Sequence, residues 1–268
     1  MERKRLDLLL VEMGFFPSRQ RAQSAIMAGR VLVDGQKKDK AGALVPVKAH
    51  ITITGEDLPY VSRGGLKLEK ALAVFPVNPA GKIALDAGAS TGGFTDCLLQ
   101  HGADRVIAVD VGYGQLAWKL RQDPRVTVLE RTNIRYLTLA DIGGQPVDLV
   151  TVDVSFISLR LVLPAVVSLA KDTADFILLV KPQFEAGKDK VGKHGVVRDP
   201  KVHRQVLDTV IAEARQLGLK VGGLDFSPIK GPEGNIEYLL WLTREDLGLP
   251  PVDNLIAAVV DEAHHSLQ

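Results

Sequence analysis

The chain has 268 residues, 46% of them apolar, and a formal net charge of only +1. That length holds one large domain, or one domain with a small module, and the total charge names no partner. The single cysteine, Cys97, excludes a disulfide framework and a cysteine zinc cluster and reads as a small buried helix residue. No apolar run reaches the ~20 residues that cross a bilayer, and the charged start Glu2-Arg3-Lys4-Arg5, with its apolar run ended by Glu12, is no secretory leader. A soluble cytoplasmic protein without a metal site is expected.

Residues 1–58 read as a small α+β unit. Leu6, Leu9, Leu10 and Met13 recur at helical spacing, and Gly14 closes the segment. Ser18 is placed to cap a second helix carrying Ala22, Ala25, Ile26 and Ala28, which Gly29 stops. Val31-Leu32-Val33 leads into an Asp34-Gly35 turn, and Val45-Pro46-Val47 and Ile51-Thr52-Ile53-Thr54 follow as short strands. At Glu56-Asp57-Leu58-Pro59 charge and proline break both patterns, so residues 59–65, with Arg63, Gly64 and Gly65, are assigned to a linker.

Residues 66–268 form the second domain, opening with a helix at 66–75. Apolar strands are then predicted at 83–85, 106–109, 126–129, 149–152 and 176–180, with helices at 159–170 and 202–217 among the intervening segments. This alternation predicts a mostly parallel sheet covered on both faces, an α/β fold. Late strands follow at 221–226 and 236–243. A last amphipathic helix at 254–263 packs on the domain, and His264-His265 read as a solvated tail.

Asp86-Ala87-Gly88-Ala89-Ser90-Thr91-Gly92-Gly93-Phe94 follows the first of these strands and opens a helix. Glycines let a backbone approach a ligand closely, and parallel sheets bind ligands beyond the carboxyl ends of their strands. The spacing is not G-x-G-x-x-G, and an acid beside a pyrophosphate is poorly placed, which argues against a dinucleotide. A nucleoside without phosphates fits better, and S-adenosylmethionine, with its positive sulfonium, is such a ligand. Asp110 ends the second strand, where a carboxylate can accept from both ribose hydroxyls; Glu130 and Asn133 flank the adenine position less specifically. The competing reading is a tight corner with incidental acids. Gly187-Lys188-Asp189-Lys190-Val191-Gly192-Lys193-His194 nearly matches a phosphate loop, but His194 stands where a magnesium-binding hydroxyl belongs and no helix pattern follows. It reads as a mobile basic loop.

Four ionisable residues sit in apolar or glycine-rich settings: Lys67, Asp153, Lys181 and Glu237. Buried charges need partners, so charges at the ends of buried strands tend to gather at one site. Pro182 disfavours helix at Lys181 and fits a strand end, while Glu237 is read as lying within its strand. Singly each of the four also fits a solvent-facing role.

Through three segments the chain resembles a known family. The 86–96 segment, Val152-Asp153-Val154-Ser155-Phe156 and Lys181-Pro182-Gln183-Phe184-Glu185 look like the TlyA (hemolysin A) family of FtsJ-like ribose 2′-O-methyltransferases. Arg5-Leu6-Asp7, Ser18-Arg19, Ala22, Ile26, Gly29, Val31, Val33 and Gly35 resemble an RNA-binding module of the ribosomal-protein S-four type. The resemblance reaches about residue 244 and implies a class I methyltransferase sheet of seven strands, the last antiparallel. It implies a Lys67-Asp153-Lys181-Glu237 catalytic set and S-adenosylmethionine held by Asp86, Gly88, Ser90, Thr91, Gly92, Gly93, Phe94, Asp110, Asn133 and Asp153. The implied substrate is ribosomal RNA, at a cytidine ribose, met on ribosomal subunits; no membrane partner is expected, and the oligomeric state stays open with a monomer favoured.

On that reading Lys181 is the base or hydroxyl-orienting group, with Lys67 as a second ammonium favouring its neutral form. Asp153 and Glu237 fix the two lysines. The cations of the first unit hold RNA phosphate without reading sequence; Arg3, Arg5, Arg19 and Lys40, with Arg63 in the linker, are the candidate contacts. A non-catalytic ribosome-assembly factor, a membrane-active hemolysin and a small-molecule methyltransferase are the alternatives.

Overall fold

The computed structural model describes residues 3–16, 18–27, 29–54 and 58–267. The chain divides into two compact units, Met1–Asp57 and Leu58–Gln268. Ala28 of the second predicted helix and Glu56-Asp57 before the predicted linker lie outside the described residues.

In the first unit β1 (Arg3–Arg5) runs straight into α1 (Leu6–Glu12), followed by α2 (Arg19–Met27), β2 (Val31–Val33), β3 (Gln36–Lys38), β4 (Leu44–Pro46) and β5 (Ile51–Ile53). Ser18 Oγ accepts from the Arg21 N–H at 3.3 Å, so the capping role read from sequence is made. Asp34 (φ 50°) and Gly35 (φ 77°) are both left-handed, as a two-residue hairpin between β2 and β3 requires. Leu6, Leu9, Leu10, Ala22, Ile26, Val31, Val33 and Val45 close a small core. β1 was not anticipated: three consecutive basic residues carry no apolar alternation, and the strand exists because Arg3–Arg5 pairs antiparallel with β4.

The second unit contains α3 (Gly64–Val74), β6 (Ile83–Ala87), α4 (Gly93–Gln100), β7 (Arg105–Val109), α5 (Trp118–Arg121), β8 (Val126–Leu129) and β9 (Val147–Val152). It continues with α6 (Leu159–Ser168), β10 (Ala170–Val180), α7 (Pro182–Glu185), α8 (Pro200–Gln216), β11 (Lys220–Phe226), β12 (Tyr238–Thr243) and α9 (Val252–Ser266). Among the described residues seven strands form one sheet in the order β11-β12-β10-β9-β6-β7-β8. β12 runs antiparallel to both neighbours, and the pairs from β10 through β8 are parallel.

Alternation along the strands feeds two apolar layers. Leu85, Ile107, Val150 and Leu178 pack with α6, α8 and α9. Ala84, Val106, Leu149, Ile177 and Leu239 pack with α3 and α4. The helix after β6 and the helix after β9 therefore cover opposite faces, although these strands are neighbours. Their connections part at the carboxyl ends, and that opening is where open α/β sheets take ligands.

Three local readings change. α3 begins at Gly64, two residues before the apolar periodicity starts, because glycines are what fit there: a Cβ on Gly65 would lie 2.3 Å from the Tyr60 ring. Glu237 precedes β12 instead of lying within it. His264 is no solvated tail. It sits on α9, and its Nε2 lies 3.1 Å from Nδ1 of the fully buried His203. The Val197 carbonyl accepts from His203 Nε2 at 3.0 Å, which leaves Nδ1 to accept from the Tyr238 hydroxyl at 2.7 Å. Burial holds His203 down at about 4, in its neutral form.

Candidate active site

Sheet register gathers the four ionisable residues. Val180 of β10 pairs with Tyr238 of β12, so Lys181 and Glu237, each one residue beyond, leave adjacent strands at the same end. β9 is the next strand over and Asp153 leaves it there. α3 brings Lys67 to that end, and its first residue packs on the Asp153 side chain: a Cβ on Gly64 would sit 4.0 Å from Oδ2.

The four form two ion pairs. Lys67 Nζ donates to Glu237 Oε2 at 2.5 Å, with side chains only 10% and 1% exposed. Lys181 Nζ lies 2.6 Å from Asp153 Oδ1, again with little exposure. Lys67 thus has its own carboxylate and does not act on Lys181 as an uncompensated cation, which modifies the electrostatics expected from sequence. A Cβ on Gly231 would come 2.6 Å from Glu237 Oε1, so glycine there makes room for the carboxylate. Asn235, also buried, accepts from the Val197 N–H and donates to the Gly195 carbonyl, tying the basic 187–197 loop to the segment that carries Glu237.

The glycine loop is built differently from the expectation. Gly88 (φ 87°) passes so close to β9 that a Cβ would lie 2.5 Å from the Asp153 carbonyl oxygen. A Cβ on Gly93 would lie 2.3 Å from Ser62 Oγ and 2.8 Å from the Gly65 nitrogen. Gly92 caps α4 in the left-handed region and packs on Leu116 and Leu120. These glycines first let the loop nest among its own neighbours. Ser90, also left-handed at φ 48°, is held there by its N–H donating to Asp110 Oδ2 at 2.8 Å. Thr91 is exposed beside it, and Phe94 is buried beneath.

Asp86 and Asp110 look alike in sequence and differ in place. Asp110 is partly exposed, and its other oxygen accepts from the Gly112 N–H at 2.7 Å. Asp86 is fully buried and accepts from the Thr95 hydroxyl at 2.6 Å and the Thr151 hydroxyl at 3.2 Å. Burial pushes its carboxyl up to about 7. Through these bonds it braces β6 against β9 and α4 beneath the loop, a supporting role that sequence did not show. Asn133 turns its oxygen toward Arg135, accepting from the backbone N–H at 3.1 Å and from Nε at 3.3 Å. Glu130 is paired with Arg121.

The remaining residues fit S-adenosylmethionine. Asp153 Oδ1 is buried against the Lys181 ammonium at 2.6 Å, with no aligned hydrogen-bond donor among the described residues, and the carboxylate stands beside the Gly88 turn of the loop. Asp110 directly follows β7 beside the loop, where its carboxylate can accept from hydroxyls.

Three neighbours of the pairs lie in the family motifs but have no role assigned from sequence. Ser155 Oγ accepts from Lys181 Nζ at 2.9 Å. Phe156 is 92% exposed at φ 63°, a left-handed conformation costly for a bulky side chain, and its ring lies 5.0 Å from that of Phe184. Glu185 accepts from the Ser158 hydroxyl at 2.6 Å and the Leu159 N–H at 2.7 Å, joining the exit of β10 to the start of α6. In sequence Phe156 stands only as part of a family motif; its φ and exposure are what single it out.

In the first unit, Asp7 is buried beneath two arginines. It accepts from Arg5 Nε and Nη2 at 3.0 Å each, from Arg19 Nε at 2.8 Å and from Gln23 at 2.8 Å. Both guanidiniums stay about half exposed. Arg3 donates to the Leu44 carbonyl at 3.1 Å, Lys40 is exposed, and Arg63 is exposed at the start of α3 in the second unit.

Comparison with known proteins bears on both units. Residues 60–244 match the FtsJ-like methyltransferase family and residues 4–51 match the S4 domain. The chain is 52% identical over 270 residues to the rRNA methyltransferase candidate YqxC of Bacillus subtilis, covering 100% of this chain and 96% of the relative. It is 52% identical over 249 residues to the 16S/23S rRNA (cytidine-2′-O)-methyltransferase TlyA of Mycobacterium tuberculosis, covering 92% of each. A solved structure described as a candidate hemolysin from Streptococcus thermophilus superposes with a TM-score of 0.78 at 47% identity, over 99% of this chain and 97% of that one. With the family match spanning most of the second unit and such relatives along the whole length, the chain belongs to the FtsJ-like methyltransferase family and carries an S4 domain ahead of it.

Proposed function

We propose that this protein methylates a cytidine ribose 2′-hydroxyl of ribosomal RNA, using S-adenosylmethionine, and that it works in the cytoplasm as a monomer on ribosomal subunits. The observation that carries the reading is the pairing of Lys67 with Glu237 and of Lys181 with Asp153 at one end of the sheet, beside the glycine loop. Relatives of this chain bear the names of rRNA cytidine-2′-O-methyltransferases, which supports the substrate.

S-adenosylmethionine supplies an electrophilic methyl group. The chain supplies the rest. Asp110 and the backbone of Gly88, Ser90, Thr91 and Gly92 would hold the nucleoside, with Asp153 facing its positive charge. Lys181 orients the 2′-hydroxyl and takes its proton, and Asp153 fixes the lysine. Lys67 and Glu237 hold the neighbouring wall in a charge-neutral pair. Such positioning is worth ~7–11 kcal/mol in well-oriented systems, and base catalysis adds ~10²–10⁴-fold. Phe156, exposed beside Lys181's partners, offers a face on which an unpaired base can stack. Arg5 and Arg19, held by Asp7, with Arg3, Lys40 and Arg63, would bind RNA phosphates and make affinity fall steeply with salt.

The membrane-active alternative finds no support in the helices: no described helix is long and apolar enough to cross a membrane. The test is radiolabelled methyl transfer to ribosomal subunits, with cofactor binding measured by calorimetry. Lys181→Ala is expected to bind cofactor normally and lose transfer; near-normal turnover would remove Lys181 from the chemistry.

A further inference from the structure

Methylating an alcohol releases one proton per turnover, and the group that collects it here is buried. Lys181 is 8% exposed. Among the described residues its amine has two polar neighbours, Asp153 Oδ1 at 2.6 Å and Ser155 Oγ at 2.9 Å. The contact with Asp153 lies off the hydrogen-bond direction, and Oδ1 has no aligned donor. The aligned N–H of Lys181 points to Ser155. The Phe184 ring lies 5.9 Å from the amine, and the Lys67 charge is engaged by Glu237.

Ser155 is exposed. It occupies this place because the chain turns sharply after it, through the left-handed Phe156 at φ 63°. Glu185 fixes the loop from behind through Ser158 and Leu159. A strained turn anchored at both ends is a costly way to place a serine that merely faces water.

We propose that Ser155 is the positioning residue through which the proton collected by Lys181 leaves for solvent. The inference rests on the reading of Lys181 as the group that takes the 2′-hydroxyl proton. As the 2′-oxygen bonds to the methyl carbon and the carbon–sulfur pair returns to sulfur, the O–H bond breaks and the Lys181 amine gains the proton. Lys181 then gives a proton to Ser155 Oγ while the serine hydroxyl passes its own to water. Lysine and serine end as they began, with one proton in solvent. The second role of Ser155 follows from the same bond: it fixes the rotamer of the amine.

The test compares Ser155→Ala and Ser155→Thr with wild type and Lys181→Ala, all as the full chain. Methyl transfer to ribosomal subunits over multiple turnovers is followed against pH, in light and heavy water. Ser155→Ala is expected to slow transfer about tenfold or more, change the pH profile and raise the solvent isotope effect, with cofactor affinity unchanged; Ser155→Thr restores the wild-type values. Independently of turnover, reductive methylation of Lys181, read by mass spectrometry on protein free of cofactor and RNA, should change its pH profile in Ser155→Ala and recover in Ser155→Thr. If Ser155→Ala matches wild type in both assays while Lys181→Ala is inactive, the proposal is overturned and Asp153 is the exit. If Lys181→Ala is itself active, the underlying reading of the site fails instead.

Discussion

Asp86 gives the sharpest physical prediction. It lies near the end of the central strand β6 with no exposed surface and accepts two hydroxyl hydrogen bonds. Burial is the main cause that pushes its carboxyl up to about 7; the Thr95 hydroxyl pulls the other way, and the charge of Asp153 adds to the rise. In the unfolded chain the group titrates near ~3.9. Between about pH 4 and 7 the folded state therefore keeps a proton that the unfolded state has lost. Stability from this residue is fully present below the unfolded value and falls as pH rises toward the folded one. At ~1.4 kcal/mol per unit over roughly three units, the loss is on the order of 4 kcal/mol. Asp86→Asn keeps the shape and removes the titration. The assay is urea unfolding followed by tryptophan fluorescence, since both tryptophans, Trp118 and Trp241, lie in the second unit. The stability difference between variant and wild type should shift in the variant's favour by several kcal/mol from pH 4.5 to 7.5. A difference that stays constant across that window would refute the argument.

Other expectations follow from the same geometry. Glu237→Ala leaves the Lys67 ammonium buried without its carboxylate and should cost ~3–5 kcal/mol; a Lys67→Met, Glu237→Leu double variant should recover much of that stability in thermal unfolding yet stay inactive. Equal destabilisation of single and double variants would mean the two do not act as a pair. Gly88→Ala forces a Cβ to 2.5 Å from the Asp153 carbonyl at φ 87°, so a loss of ~1–3 kcal/mol is expected, with weaker cofactor binding by calorimetry; a variant normal in both would contradict the packing. Arg5, followed by Gln23 and Arg19, holds the Asp7 carboxyl well below the usual carboxylate range. Its stabilising effect is present above the unfolded value and lost as pH falls through the lower folded one. Asp7→Asn should flatten that acid-side loss and weaken rRNA binding about tenfold, or ~1.4 kcal/mol; unchanged affinity in filter binding would mean Arg5 and Arg19 need no anchor.

Strands of the second unit were legible because β-branched and leucine runs alternate with helical spacing, and burial on both faces of a parallel sheet leaves little else that such runs can do. Lys181 was legible through Pro182, which fixes where its strand stops. What stayed hidden depended on contacts distant in sequence. β1 consists of three basic residues and becomes a strand only by pairing with Leu44–Pro46. Asp86 near the end of β6 and Asp110 just after β7 carry the same side chain, and only the packing of Thr95 and Thr151 shows the first to be enclosed and the second not. Gly88 was read as space for a ligand, whereas its nearest constraint is the Asp153 backbone. His264 looked like a tail because its partner, His203, lies 61 positions away.

Lys181 and Asp153 line the crevice in which a ribose of ribosomal RNA would be methylated. Mass-spectrometric mapping of 2′-O-methyl marks in rRNA, from cells with the wild-type protein, with Lys181→Ala and with neither, tests it most directly. At least one methylated cytidine is expected only with the wild-type protein. Identical marks in all three samples would contradict it.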